Sequence, residues 1–491
     1  MYCFLKEQNQ LKSWQEWNTH KTPSAATIHS LWSKHWENCL FFAWVQFEAE
    51  KQLISVSQIL HSFGVRLKGD VPILLNEDSA DVWAFRKYFN LSLRAGAPPD
   101  MFCATGQNWR FPSYNWQNLA KEDYLWWKER LQQASNYFHA FRIDHVLGFF
   151  RLWQIPEEQS SGLLGYLSPS TPITKTELTS ANWSDLDIKI ATKPLLVQQD
   201  IPEDLLTFFT KSEGDFYQMN FTRESEIFDL SLHEESKHQL LKLFWSRKLI
   251  QPDQNKEEFY PYWFWNDDSN HNPLDVSKND TLHHLQSQHN QEELWAQNGK
   301  SLLTMINHAT DMLVCAEDLG VVPNCVAPTL AKLNILSLKI ERWARNYNSD
   351  GSYIPMENYP RLSVCSPSCH DTSTLRGLWE EPDFNKAEYC QKINWQGEIP
   401  HEFTTEMAQA MVQENLKTNS LMCILPLQDW LSLYYNLRTP GPAEERINTP
   451  GTLDATNWSW KMFPKLEELG CYDEFNTHLK TMIHNRRVRN F

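Results

Sequence analysis

Three strand-length apolar runs in this chain each end in a carboxylate, and that repetition constrains the fold more than any other feature. Ala140 to Leu147 contains Phe141-Arg142-Ile143-Asp144-His145. Leu313-Val314-Cys315-Ala316 runs into Glu317-Asp318, and Ser363-Val364-Cys365-Ser366 leads to His370-Asp371. Short apolar runs read as buried strands, along which side chains alternate faces. Three such strands, each closed by an acid, suggest one acidic site at the mouth of a parallel barrel. Arg142 and Asp144 are two apart, so both project to the same side. A guanidinium beside a carboxylate keeps it ionised, which suits a nucleophile. A structural Arg–Asp pair is the alternative reading of this pentapeptide alone.

The bulk numbers exclude some functions. The 491 residues carry 61 acidic and 45 basic side chains, a formal charge of −16. Phosphate binding needs a basic footprint, so neither a nucleic-acid groove nor an anionic membrane surface is expected. The 22 Trp stand out among the aromatic residues. Flat rings offer a stacking face for a sugar, although core filling is the ordinary role of any one of them. The 10 Cys include no CxxC pair, and several sit in apolar runs as small hydrophobes, which fits a reducing cytoplasm. Met1 to Glu7 lacks a signal-peptide pattern, and there is no run of 18 apolar residues to span a membrane.

Periodicity organises the rest. Residues 28–63 have a helical pattern ended by Gly64, followed by a strand over 65–73. The stretch 74–118, rich in Gly and Pro, reads as a long functional loop without regular elements. A helix over 121–138 leads into the Asp144 strand. Asp144 and Glu317 stand 173 positions apart, against about 30 residues for one strand–helix unit of a barrel. The chain is therefore divided into a first barrel part (1–156), a polar, irregular insertion (157–290) and a second barrel part (291–491). His283, His284 and His289 belong to a solvated helix rather than a metal site, since their spacing matches no zinc set. A helix over 292–310 returns the chain to the barrel, and Leu336–Glu341 and Met422–Gln428 are further strands.

Several ordered stretches carry a resemblance. They are LKGDVPI (67–73), GAPPDMFCATGQNW (96–109), FPSYNW (111–116), FRIDHVLGFFRLWQIP (141–156), CAEDLG (315–320), PSCHDTSTLRGLWEE (367–381), LPLQD (425–429) and INTPGT (447–452). In this set the chain resembles the amylomaltase, or 4-α-glucanotransferase, family of the α-amylase superfamily, on its plant-like branch. The resemblance implies a (β/α)8 barrel and transfer of α-1,4-glucosyl units between maltose, maltodextrin or glucan and glucose or glucan, with no metal or organic cofactor. It implies Asp144 as nucleophile, Glu317 as general acid/base and Asp371 as the third carboxylate, with Arg142, His370, Asp70, Trp109, Tyr114 and Asn448 as substrate-binding positions. Retention at a glucosidic carbon needs two carboxyl groups about 5–5.5 Å apart.

Each role has a plain alternative. Glu317 and Asp318 could be two solvated carboxylates; His370 with Cys365 and Cys369 could hold a metal; Asp70 could serve only as a hydrogen-bond acceptor. Trp109 and Tyr114 could be loop core, and Asn448 could only shape a turn. The function has alternatives too: hydrolysis of the same glucans, or a non-catalytic glucan-binding remnant. Two departures stand out. Arg110 replaces the family's Gly after GQNW, and an arginine there is expected to need ordinary backbone angles. The first two barrel strands are not found ahead of LKGD, so the barrel is expected to lack its first strands, leaving open edges.

Overall fold

The computed structural model describes residues 1–100, 103–267, 270–347, 349–452 and 454–486. It divides into two compact units: Met1–Leu313 with Leu319–Thr329, and Val314–Asp318 with Leu330–Phe491.

In the first unit, the helix Ala25–Ser62 begins where the Ser24 side chain accepts the Thr27 N–H, kinks at His35 and ends before Gly64, whose φ of 75° is cheapest for a residue without Cβ. The strand Lys68–Val71 pairs in parallel with Ala140–Ile143, with Asp70 directly opposite Arg142. The 74–118 stretch is not irregular. Phe89–Ala97 and Gln107–Tyr114 form an antiparallel hairpin, extended by Leu152–Pro156 and Tyr166–Ser168 into a four-stranded sheet. The alternation Phe89, Leu91, Leu93, Ala95 was the available signal, obscured by the Gly and Pro of the connecting turn. Gly96 lets the strands close up, since a Cβ there would lie 2.0 Å from the Gln107 carbonyl oxygen.

The 157–290 segment is also ordered, contrary to its polar, irregular appearance. It builds two three-stranded antiparallel sheets. One orders Leu195–Val197, Phe216–Met219 and Phe209–Lys211; the other orders Leu249–Ile250, Glu258–Pro261 and Ile173–Thr174. Both sheets contribute to two cores, one around Leu240 and Phe244 and one around Trp183 and Phe259. Elements of two to four residues are too short to show a period within any sequence window. His283 and His284 lie on the helix Ser277–Gln288, whose Leu282 and Leu285 are buried. His289 instead meets Glu177 at 2.9 Å.

The helix Gln291–Ala309 starts at Asn290, whose side chain accepts the Glu293 N–H. Its Asn298 donates to the carbonyls of Phe149 and Phe150. Gly299 provides the room, because a Cβ would fall 2.3 Å from the Phe150 ring.

The second unit holds three parallel strands, Ser337–Ile340, Ser363–Ser366 and Met422–Cys423, with a parallel bridge from Cys315 to Leu336. The third strand is shorter than expected. Pro426 closes it, and Leu427–Leu431 turns into a helix. Leu375, Trp379, Tyr389, Met407 and Met411 form the adjoining core.

Candidate active site

In the first unit the chemistry gathers at the carboxyl end of Ala140–Ile143. Phe141 and Ile143 are fully buried, so alternation turns Arg142 to the opposite face. Its Nε donates to both oxygens of Asp70 at 3.1 Å, and its Nη2 donates to Asp144 Oδ1 at 2.8 Å. The Asp144 backbone N–H donates to the Val71 carbonyl, which fixes the residue just beyond the strand. The Asp144 side chain keeps 43% exposure, while Arg142 keeps 14%. An attacking carboxylate needs that combination: a held orientation with an open face.

His145 leaves the strand with a left-handed φ of 47°. Burial lowers its imidazole to about 4, so it is neutral at pH 7. Trp109 meets that ring edge-on at 4.8 Å, and its Nε1 donates to Gln107 Oε1. Trp109 thus stands beside the Asp144 turn. Tyr114 does not; it is 3% exposed and packed among Phe89, Trp116, Trp126 and Trp127. Both of its faces belong to the core, so it offers no surface for stacking. Arg110 adopts φ 61°, a left-handed backbone that glycine takes readily, and not the ordinary angles expected of it. The Asn108 side chain accepts its N–H at 2.9 Å, which steadies the kink.

In the second unit, Glu317 and Asp318 follow the strand Leu313–Ala316 and differ sharply. Asp318 is buried, accepts the Leu338 N–H at 2.7 Å and faces Lys339. Burial raises its carboxyl above the usual range. It ties two strand ends together and is not a solvated carboxylate. Glu317 is half-buried.

Asp371 sits in a framework built from distant sequence. Asn448 donates its side-chain amide to Asp371 Oδ1 at 2.7 Å and its N–H to the His370 carbonyl at 3.0 Å. His370 Nε2 lies 3.3 Å from Asp371 Oδ2, and the His370 ring lies 5.0 Å from Trp458. Arg446 donates to the Asp371 and Asn448 carbonyls. Beneath this loop, Thr374 donates to Glu445, the Leu375 N–H donates to Asp429 Oδ1, and Arg342 donates to the Ser373 carbonyl. Burial, with Glu445 nearby, pushes the Asp429 carboxyl up to about 7. Arg446, Asp429 and Glu445 were not singled out from sequence; Asp429 closes LPLQD, which was the available hint. Cys365 is fully buried with its thiol toward Asn415, so it does not join His370. Among the described residues, no group of three His, Cys, Asp or Glu could hold a metal ion, and no helix is long and apolar enough to cross a membrane.

The fold is that of the amylomaltases. The chain superposes on amylomaltase from Streptococcus agalactiae in complex with acarbose with a TM-score of 0.61 at 19% identity, covering 99% of this chain and 71% of that one. The amylomaltase of Corynebacterium glutamicum matches at 0.55 and 17% identity, over 98% and 53% of the two chains. Residues 1–465 match the 4-alpha-glucanotransferase family, and the chain belongs to it. It is 32% identical to 4-alpha-glucanotransferase DPE2 of Oryza sativa subsp. japonica over 98% of this chain and 53% of that protein. The Chlamydia pneumoniae 4-alpha-glucanotransferase is 29% identical over 92% of this chain and 62% of its own length. The chain thus spans roughly half to three-fifths of these curated relatives.

Proposed function

We propose that this chain transfers α-1,4-linked glucosyl units from maltose or maltodextrin to glucose or a glucan by double displacement. Asp144 attacks the anomeric carbon while the glycosidic C–O bond breaks and Glu317 gives its proton to the departing sugar oxygen. An acceptor hydroxyl then returns its proton to Glu317 and displaces Asp144 from the sugar. Asp371, with Asn448 and His370 beside it, grips the hydroxyls of the distorted ring; Asp70, Arg142 and Trp109 position the donor. Such a pair of carboxyl groups retains configuration when about 5–5.5 Å apart.

The observation that carries this reading is the Arg142–Asp144 hydrogen bond at a strand end, in a chain of the 4-alpha-glucanotransferase family. In this reading the parallel strands belong to a TIM-type barrel, with 157–290 as an insertion after the Asp144 strand. Cysteines set in the buried apolar runs as small hydrophobes, such as Cys315 and Cys365, favour a reducing, cytoplasmic setting. Incubation with maltotriose tests the activity. Longer oligosaccharides are the expected products, and glucose with maltose alone would make the protein a hydrolase.

A further inference from the structure

Asp371 belongs to a closed loop of contacts whose far end is Glu445. From Asp371 the chain runs three residues to Thr374, whose hydroxyl donates to Glu445 Oε2 at 2.8 Å. From Glu445 the other segment runs three residues to Asn448, which returns to Asp371 through its side-chain amide at 2.7 Å. Between the two ends, Arg446 donates to the Asp371 carbonyl at 3.2 Å. Two segments distant in sequence are thus joined at both ends.

Glu445 is placed to hold these segments and not to meet a sugar. Its side chain is 2% exposed, and its other oxygen, Oε1, accepts from Arg376 at 3.1 Å. Its backbone carbonyl accepts from Gln428 Nε2. Arg376 is fixed in turn by the carbonyls of Thr439 and Pro440. Side chain and main chain of Glu445 are therefore anchored together. Asp371 keeps 40% of its side chain exposed. An acid that must be aimed yet stay open has to be supported from behind, and small errors in its direction are costly.

We propose that Glu445 is a positioning residue, which locks the 445–448 segment to the 371–374 turn and so fixes the direction of the Asp371 carboxylate. Its part in the reaction rests on the reading of Asp371 as the third carboxylate. It acts through Thr374, Arg446 and Asn448.

The test is Glu445→Gln in the full chain, where an amide N–H must face either Arg376 or Thr374. Hydrogen exchange at the Asn448 N–H, which is bonded to the His370 carbonyl, should quicken about tenfold or more. With maltotriose, kcat should fall about tenfold or more while KM stays within about twofold. Glu445→Gln combined with Asn448→Ala should be no slower than Asn448→Ala alone, since both cut one link. Thr374→Ala cuts it from the other side and should repeat these results; it decides the matter if Glu445→Gln melts far below the wild type. Asn448 exchange unchanged in the folded variants, or losses that multiply in the double variant, would overturn the proposal. A wild-type chain that leaves maltotriose untouched while Asn448 exchange responds as expected would refute the transferase reading and still support the positioning of Asp371.

Discussion

Asp144 receives a 2.8 Å hydrogen bond from Arg142, two residues before it on the same strand face. The same guanidinium holds Asp70 on the neighbouring strand. One fork therefore sets the direction of the candidate nucleophile from the parallel strand pair beneath it. A lysine has one point charge and cannot serve both carboxylates. Arg142→Lys is expected to lower kcat at least about a hundredfold, with a smaller change in KM, measured with maltotriose as donor.

Asn448 acts on Asp371 from 77 positions away through its side-chain amide, while its backbone N–H donates to the His370 carbonyl. Asn448→Ala should leave melting little changed and reduce kcat/KM by about ten- to a hundredfold. Asn448→Asp should do worse, because it sets two carboxylates against each other. Steady-state kinetics of the two variants checks the order.

How much of this was readable in the sequence follows from what each residue sits in. The strand-end acids were legible because each closes an apolar run, and Arg142 because a strand repeats every two residues. Tyr114 was not, since an aromatic in a loop motif looks the same whether it stacks on sugar or fills a core. The Arg446–Asn448–Asp371 framework joins segments with no local signal. Asp318 and Glu317 are neighbours whose opposite fates depend on which one the Leu338 N–H meets. The 157–290 segment was misjudged because the cores it builds draw on elements too short to show a period.

Arg110 stands in the left-handed region, where a Cβ costs about 1–2 kcal/mol. Arg110→Gly is expected to raise stability by about 1 kcal/mol, read as an upward shift in the urea midpoint. No change would mean that contacts of the arginine side chain offset the strain.

Half-buried His145 and fully buried Asp429 tilt stability in opposite directions with pH. His145 is held near 4, below its ordinary 6.5. Its contribution is full above 6.5 and is lost as pH falls through about 4, up to about 3 kcal/mol. Asp429 is held near 7, above its ordinary 3.8. Its contribution is full below 3.8 and is lost as pH rises through about 7, about 4 kcal/mol when complete. Urea midpoints from pH 4 to 8 should flatten on the acid side in His145→Gln and on the alkaline side in Asp429→Asn.

The most direct test of the double-displacement reading is intact-protein mass spectrometry of Glu317→Gln after mixing with α-maltosyl fluoride. Fluoride leaves without a proton donor, so Asp144 should still form its ester, and loss of the base should make that ester long-lived. The account predicts one added maltosyl unit, mapped to Asp144 by peptide analysis and absent from the variant that also carries Asp144→Asn. A maltosyl unit on another carboxylate, or none while Asp144→Asn retains wild-type turnover, would contradict it.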